Sequence, residues 1–103
     1  MRVIAMSGLR AFWEAGHADA EKPLRDWYRT ACGAVWHSLE DIRRVYPHAD
    51  GVKVNSGRSV VVFNIGGNKY RLLVDVLYPV QVVYVCRVLT HAEYSKGRWK
   101  QEL

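Results

Sequence analysis

The spacing of apolar residues changes period near residue 50, which limits the chain to helices first and a sheet after them. Before the change, Leu24, Trp27, Tyr28, Ala31 and Val35 recur at helical spacing. They predict a helix opened by Asp19 with one core-facing stripe, from which Arg25, Asp26 and Arg29 are excluded. Pro23 fits this helix because it falls in the first turn, where its missing N–H is no loss. Ser7 is placed to cap an earlier helix that reaches Gly16, with Leu9, Phe12 and Trp13 on one face. Ser38 with Asp41 is a capping pair for a third, short helix that carries Leu39, Ile42 and Val45 and stops at Pro47. Residues 2–6 read as a short strand.

Beyond His48-Ala49-Asp50-Gly51, β-branched residues dominate. Val52 to Val54 is a short strand, turned by Asn55-Ser56-Gly57. Val60 to Phe63 and Tyr70 to Val76 form a hairpin across Gly66-Gly67-Asn68, residues that tolerate positive φ. Tyr78-Pro79 turns the chain again, and Val82 to Leu89 is the last strand. Thr90-His91-Ala92-Glu93 has capping-box spacing and opens a C-terminal helix. The expected fold is α+β, one domain over residues 1–103. A twisted antiparallel sheet packs against N-terminal helices, with a short helix at the C-terminus and the other face or its rim left for function.

The net charge of +5 is unevenly distributed. Residues 1–52 hold seven basic and seven acidic side chains, whereas residues 53–103 hold eight basic and three acidic ones. The strand half therefore projects a positive field suited to a polyanion. No apolar run approaches the roughly 18 residues that a membrane helix needs, and the first six residues are too short for a signal-peptide core. The expected location is the cytoplasm, where Cys32 and Cys86 would be reduced and packed. No Cys/His cluster has zinc-ligand spacing.

Val62-Phe63-Asn64-Ile65-Gly66-Gly67-Asn68-Lys69-Tyr70-Arg71-Leu72 resembles the signature hairpin of HigB-type toxins, and Val88-Leu89-Thr90-His91-Ala92-Glu93-Tyr94 resembles their second signature. Phe12-Trp13, Leu24, Trp27-Tyr28, Trp36 and Tyr46-Pro47 fall at that family's spacing as well. The resemblance implies a RelE-like small ribonuclease fold and translation-linked cleavage of mRNA on the ribosome, without metal or other cofactor. It also implies a cognate helix-turn-helix antitoxin of the HigA type, through which alone operator DNA would be bound. The chain departs from the family pattern twice. Cys86 stands where a basic residue is usual, and Ser95 where an acidic one is common. Strand alternation puts the neighbouring Arg87 on the face opposite Cys86, which leaves its ability to replace the missing charge open.

Metal-free RNA cleavage needs a base for the 2′-hydroxyl, an acid for the leaving 5′-oxygen, and cations that hold the phosphate and stabilise its growing charge. Lys69 and Arg71, two apart on one strand, are expected to share a face and supply those cations. His91 is the candidate for proton transfer, since an imidazole exchanges its proton near neutral pH. Tyr94, three residues on, falls on the same side of the helix and can donate a proton or stack on a base. Lys53, Asn64, Asn68, Arg87, Lys96 and Arg98 are candidate RNA contacts. Trp99 and Tyr94 interleave with the basic tail as stacking platforms do. The bland alternatives are solvated charges and aromatics packed on the sheet. His17, His37 and His48 read as structural or surface residues, and Asp75 as a partner for a basic neighbour. The same basic, aromatic surface fits a non-catalytic RNA-binding module of the same fold. It also fits an interaction protein whose basic face binds an acidic partner. Fragmentation of mRNA on expression separates the first reading from both.

Overall fold

The computed structural model describes residues 1–103 as a five-stranded sheet with helices on both faces. Strand β1 (Arg2–Ile4) leads into α1 (Met6–Glu14), a 3-10 turn at Ala18–Ala20, α2 (Glu21–Gly33) and α3 (Leu39–Val45). Then follow β2 (Asp50–Lys53), β3 (Ser59–Ile65), β4 (Tyr70–Leu77) and β5 (Val82–Thr90), and two short helices, α4 (His91–Lys96) and α5 (Trp99–Glu102). The sheet order is β1-β5-β4-β3-β2. Strands β2 to β5 make the expected antiparallel meander, but β1 joins β5 in parallel, so the sheet is mixed.

The helical half packs on one face. Leu9, Trp13, Leu24, Trp27, Ala31, Trp36 and Ile42 form one core with Val61, Phe63, Leu72, Val74 and Val83. The stripe of α2 therefore lies where its spacing put it, except for Val35. Gly33 ends the helix first, and Val35 is left 67% exposed. Two caps differ from expectation. Ala5, not Ser7, precedes α1, and Asp19 caps nothing because it lies in the 3-10 turn and binds elsewhere. Ser38 does cap α3, accepting from the Asp41 N–H at 3.4 Å.

The second face is not left bare. Val54, Val60, Val62, Leu73 and Leu89 form a smaller core with Trp99, which is only 2% exposed. Trp99 is thus the anchor of α5 and is closed to RNA bases, which corrects its reading as a stacking platform. It covers Val54, Val60, Val62, Leu73 and Leu89 on this face.

Trp27 is 1% exposed and stands edge-on to Phe63. Trp27→Ala is expected to destabilise the protein by about 3–5 kcal/mol, read by thermal or denaturant melting. Wild-type stability in that variant would refute the packing of α2 on the sheet.

Candidate functional site

The hairpin between β3 and β4 turns through Gly66, Gly67 and Asn68, all with positive φ (64°, 63° and 81°). This tight turn places Arg71 at the second position of β4, on the second face, paired with Asn64 on one side and Leu89 on the other. Arg71 is buried, 8% exposed, the one charged side chain in that state. Its Nη1 donates to the carbonyls of Asn68 (3.0 Å) and Tyr70 (3.2 Å), and its guanidinium lies 5.4 Å from the ring centre of Tyr94. Nε and Nη2 donate to nothing within the chain. A guanidinium held this way is oriented by the protein and keeps two donors for an incoming anion.

Tyr94 is half-buried between Arg71 and Trp99, on which it stacks at 5.1 Å and 15°. Burial pushes its phenol above the ordinary value, and the charge of Asp50 adds to this against the opposing pull of Arg71. At neutral pH the group is a hydroxyl that can donate a proton, and it is not a ready base.

His91 is the first residue of α4 and is exposed. Its backbone N–H donates to the Lys69 carbonyl at 2.9 Å, and its Nδ1 lies 3.4 Å from the Ser95 hydroxyl. The helix start is the capping box that the sequence predicts. Thr90 Oγ1 accepts from the Glu93 N–H at 3.2 Å, and the Glu93 carboxylate accepts from the Thr90 N–H at 2.9 Å. That second bond holds the Glu93 carboxyl below its usual range. The bond is therefore present above the ordinary carboxylate range, and it is lost only as pH falls through the depressed value.

Lys69 does not join Arg71. It lies in the turn before β4, and its ammonium pairs with Asp19 at 2.9 Å on the helical side. Asp19 also accepts from the Tyr70 hydroxyl at 2.5 Å, and these two hydrogen bonds, Tyr70's foremost, hold its carboxyl below the usual range. The expectation that Lys69 and Arg71 share a face fails because strand alternation starts only at Tyr70. Lys69 instead ties the hairpin to the entry of α2.

Arg87 is placed by a feature that local pattern cannot show. Leu73 pairs with Arg87 and Val74 with Val85, so Cys86 is an extra residue, a β-bulge in β5. Two residues then oppose one, and the alternation changes phase. Val83 and Val85 face the helical core, Cys86 packs against the second core, and Arg87 lies beside Leu89 and Trp99 on that same face. The expected separation of Arg87 from Cys86 is thus corrected: both lie on the face of Arg71. Burial pushes the Cys86 thiol up, so it is a packed thiol, whereas Cys32 is exposed and not packed as expected; neither is in a disulfide.

Lys96 and Arg98 line a cleft of about 380 Å³ with Arg87, Glu93 and Glu102. Lys53 pairs in register with Ser59 at the edge and falls on the helical face, away from this group. Asn64 and Asn68 flank Arg71 and line an open polar cleft of about 420 Å³ together with Gly67 and His48. His48 was not distinguishable by its position in the sequence, because a loop residue carries no periodic signal. Asp75 pairs with Arg58 at 3.7 Å, as expected for a lone acid among basic strands. No group of three His, Cys, Asp or Glu side chains is placed to hold a metal ion, and no helix is long and apolar enough to cross a membrane.

Residues 20–97 match the HigB toxin family, described as the RelE-like toxic component of a toxin–antitoxin system. The chain belongs to the HigB toxin family. That match contains the hairpin, β5 and α4, so Arg71, His91 and Tyr94 lie within it. Similar relatives include the mRNA interferase toxin HigB of Escherichia coli (strain K12) and mRNA interferase HigB of Shigella flexneri. Each is 36% identical over 56 residues, or 54% of this chain and 52% of the relative. The chain spans about half the length of these curated relatives.

Proposed function

We propose that this HigB-family protein is the toxin of a toxin–antitoxin pair, an endoribonuclease that cleaves mRNA on translating ribosomes without a metal ion. A cognate helix-turn-helix antitoxin of the HigA type would neutralise it. The observation that carries this reading is the Arg71 guanidinium, fixed by two carbonyls with two donors left free, against Tyr94 on the helix that His91 begins. In the proposed step His91 takes the proton of the 2′-hydroxyl, whose oxygen attacks the adjacent phosphorus. The bond to the 5′-oxygen breaks, and that oxygen takes a proton from the Tyr94 hydroxyl. Arg71 neutralises the charge that grows on the non-bridging oxygens. The products are a 2′,3′-cyclic phosphate and a 5′-hydroxyl. Asn64, Asn68, Lys96 and Arg98 are proposed as RNA contacts around this centre.

Expression of the chain alone is expected to arrest growth and fragment mRNA within translated regions, mapped by 5′-end sequencing. Co-expression of the cognate HigA-type antitoxin should reverse both effects. Growth arrest with intact mRNA would replace the nuclease by a non-catalytic RNA-binding module. Equal cleavage of free and translated RNA would remove the ribosome from the proposal.

A further inference from the structure

We propose that the cleft between β5, α4 and α5 is a second phosphodiester subsite for the RNA strand, and that Glu102 occupies it in the free protein. The proposal rests on the reading of this face as RNA-binding. Arg87 pairs with the Glu102 carboxylate at 2.7 Å. Both side chains retain substantial exposure, and so exposed a pair contributes little to folding. The Glu102 carboxylate does, however, engage Nη1, one of the donors that would otherwise hold a phosphate, and sets its negative charge against an incoming one.

The rest of the cleft supports an anion. Lys96 and Arg98 line it, and neither makes an ion pair with a carboxylate of the chain. Glu93 lines it too, but its carboxylate is engaged by the Thr90 N–H in the capping box. The floor is Leu89 and Trp99, and the Trp99 indole N–H donates to the Tyr94 carbonyl at 3.0 Å. The cleft therefore adjoins the Tyr94–Trp99 stack, whose other end meets Arg71. Arg71 pairs with Leu89, and Arg87 precedes Leu89 by two on the same face. The two arginines are diagonal neighbours, about 7–8 Å apart at Cα. An RNA strand held by Arg71 can thus place a second phosphodiester on Arg87 by displacing Glu102.

The test measures binding of a fluorescent 2′-O-methyl RNA oligonucleotide, which has no free 2′-hydroxyl and so is not cleaved. Glu102→Gln is expected to tighten binding several-fold at low salt. It should also steepen the dependence of log Kd on log salt by about 0.7, the increment for one more phosphate contact on a single strand. Arg87→Ala should weaken binding and abolish the effect of Glu102→Gln in the double variant. Unchanged binding in Glu102→Gln overturns the proposal, and so does tightening that persists in the Arg87→Ala background. Because a free phosphate shares the recognised chemistry, inorganic phosphate is titrated as a competitor. Displacement of the oligonucleotide by an equal concentration of phosphate groups in inorganic form would overturn an RNA subsite. Lys96→Ala and Arg98→Ala should each weaken binding, and unchanged binding in both overturns the subsite even where thermal melting shows that Glu102→Gln loosens α5. Cleavage of translated mRNA is assayed separately. Its absence would sink the nuclease reading alone, whereas intact cleavage with no Glu102 effect would sink the subsite alone.

Discussion

Arg71→Lys is expected to lower the single-turnover rate of mRNA cleavage on programmed ribosomes by roughly 10²–10³-fold, the usual cost of removing one preorganised donor to a developing charge. Lysine keeps the positive charge and loses the fork. In the wild type, Nη1 is fixed by the Asn68 and Tyr70 carbonyls while Nε and Nη2 donate to nothing within the chain, an arrangement that one ammonium cannot reproduce. Arg71→Ala should lose as much activity and also melt earlier. It would leave both carbonyls at the hairpin without their donor and open a cavity beneath Tyr94. This differs from the expectation for an exposed strand residue, whose removal would leave the fold untouched. Comparing the two variants separates the roles: the lysine variant isolates the phosphate grip, and the alanine variant adds the structural loss. Full cleavage by Arg71→Lys would reduce the residue to a charge, and full cleavage by Arg71→Ala would remove it from the site.

The parts of this fold legible in the sequence are those set by neighbours a few residues away. The α2 stripe as far as Ala31, the Gly66-Gly67-Asn68 turn, the order of the four later strands and the Thr90 capping box all carry their signal locally, although β2 starts two residues earlier than expected. The misplaced features depend on partners distant in sequence. Lys69 is drawn off its strand face by Asp19, fifty positions earlier. Trp99 looks like part of a basic tail until the second face of the sheet is present to cover it. Strand β1 pairs in parallel with β5, Arg2 beside Val82, a partnership that no short window contains. Arg87 is the clearest case. Strict alternation turns it away from Cys86, and a single extra residue, visible only in the register against β4, turns it back. The resemblance to HigB toxins pointed to Arg71 and His91. It could not show that Glu102 holds Arg87, since that contact joins a strand to the last helix.

His91→Ala is expected to lower the rate of mRNA cleavage by roughly 10²–10⁴-fold, the range for loss of a positioned proton-transfer group. RNA binding should change little, because the side chain is exposed and contributes no permanent charge to the basic face. The fold gives little reason for collateral damage. The imidazole's one hydrogen-bond partner is the Ser95 hydroxyl, at 3.4 Å, while the start of α4 is held by Thr90, Glu93 and the backbone bond to Lys69. Glu93 is ionised at neutral pH, its carboxyl held down by the Thr90 N–H, so the capping box stays closed where an imidazole exchanges its proton. His91→Gln should fail as fully as His91→Ala, since an amide can accept a hydrogen bond but cannot take a proton from a 2′-hydroxyl. The measurement is single-turnover cleavage for the wild type and both variants, with binding to an uncleavable RNA followed separately. Near-normal cleavage by His91→Gln would make His91 a positioning group. Weakened binding with an unchanged chemical step would make it an RNA contact. In either case Tyr94 becomes the next candidate for proton transfer. Its raised phenol could serve as an acid but not as a base, so the base would then be sought elsewhere, beginning with His48, which lines the cleft of Asn64 and Asn68.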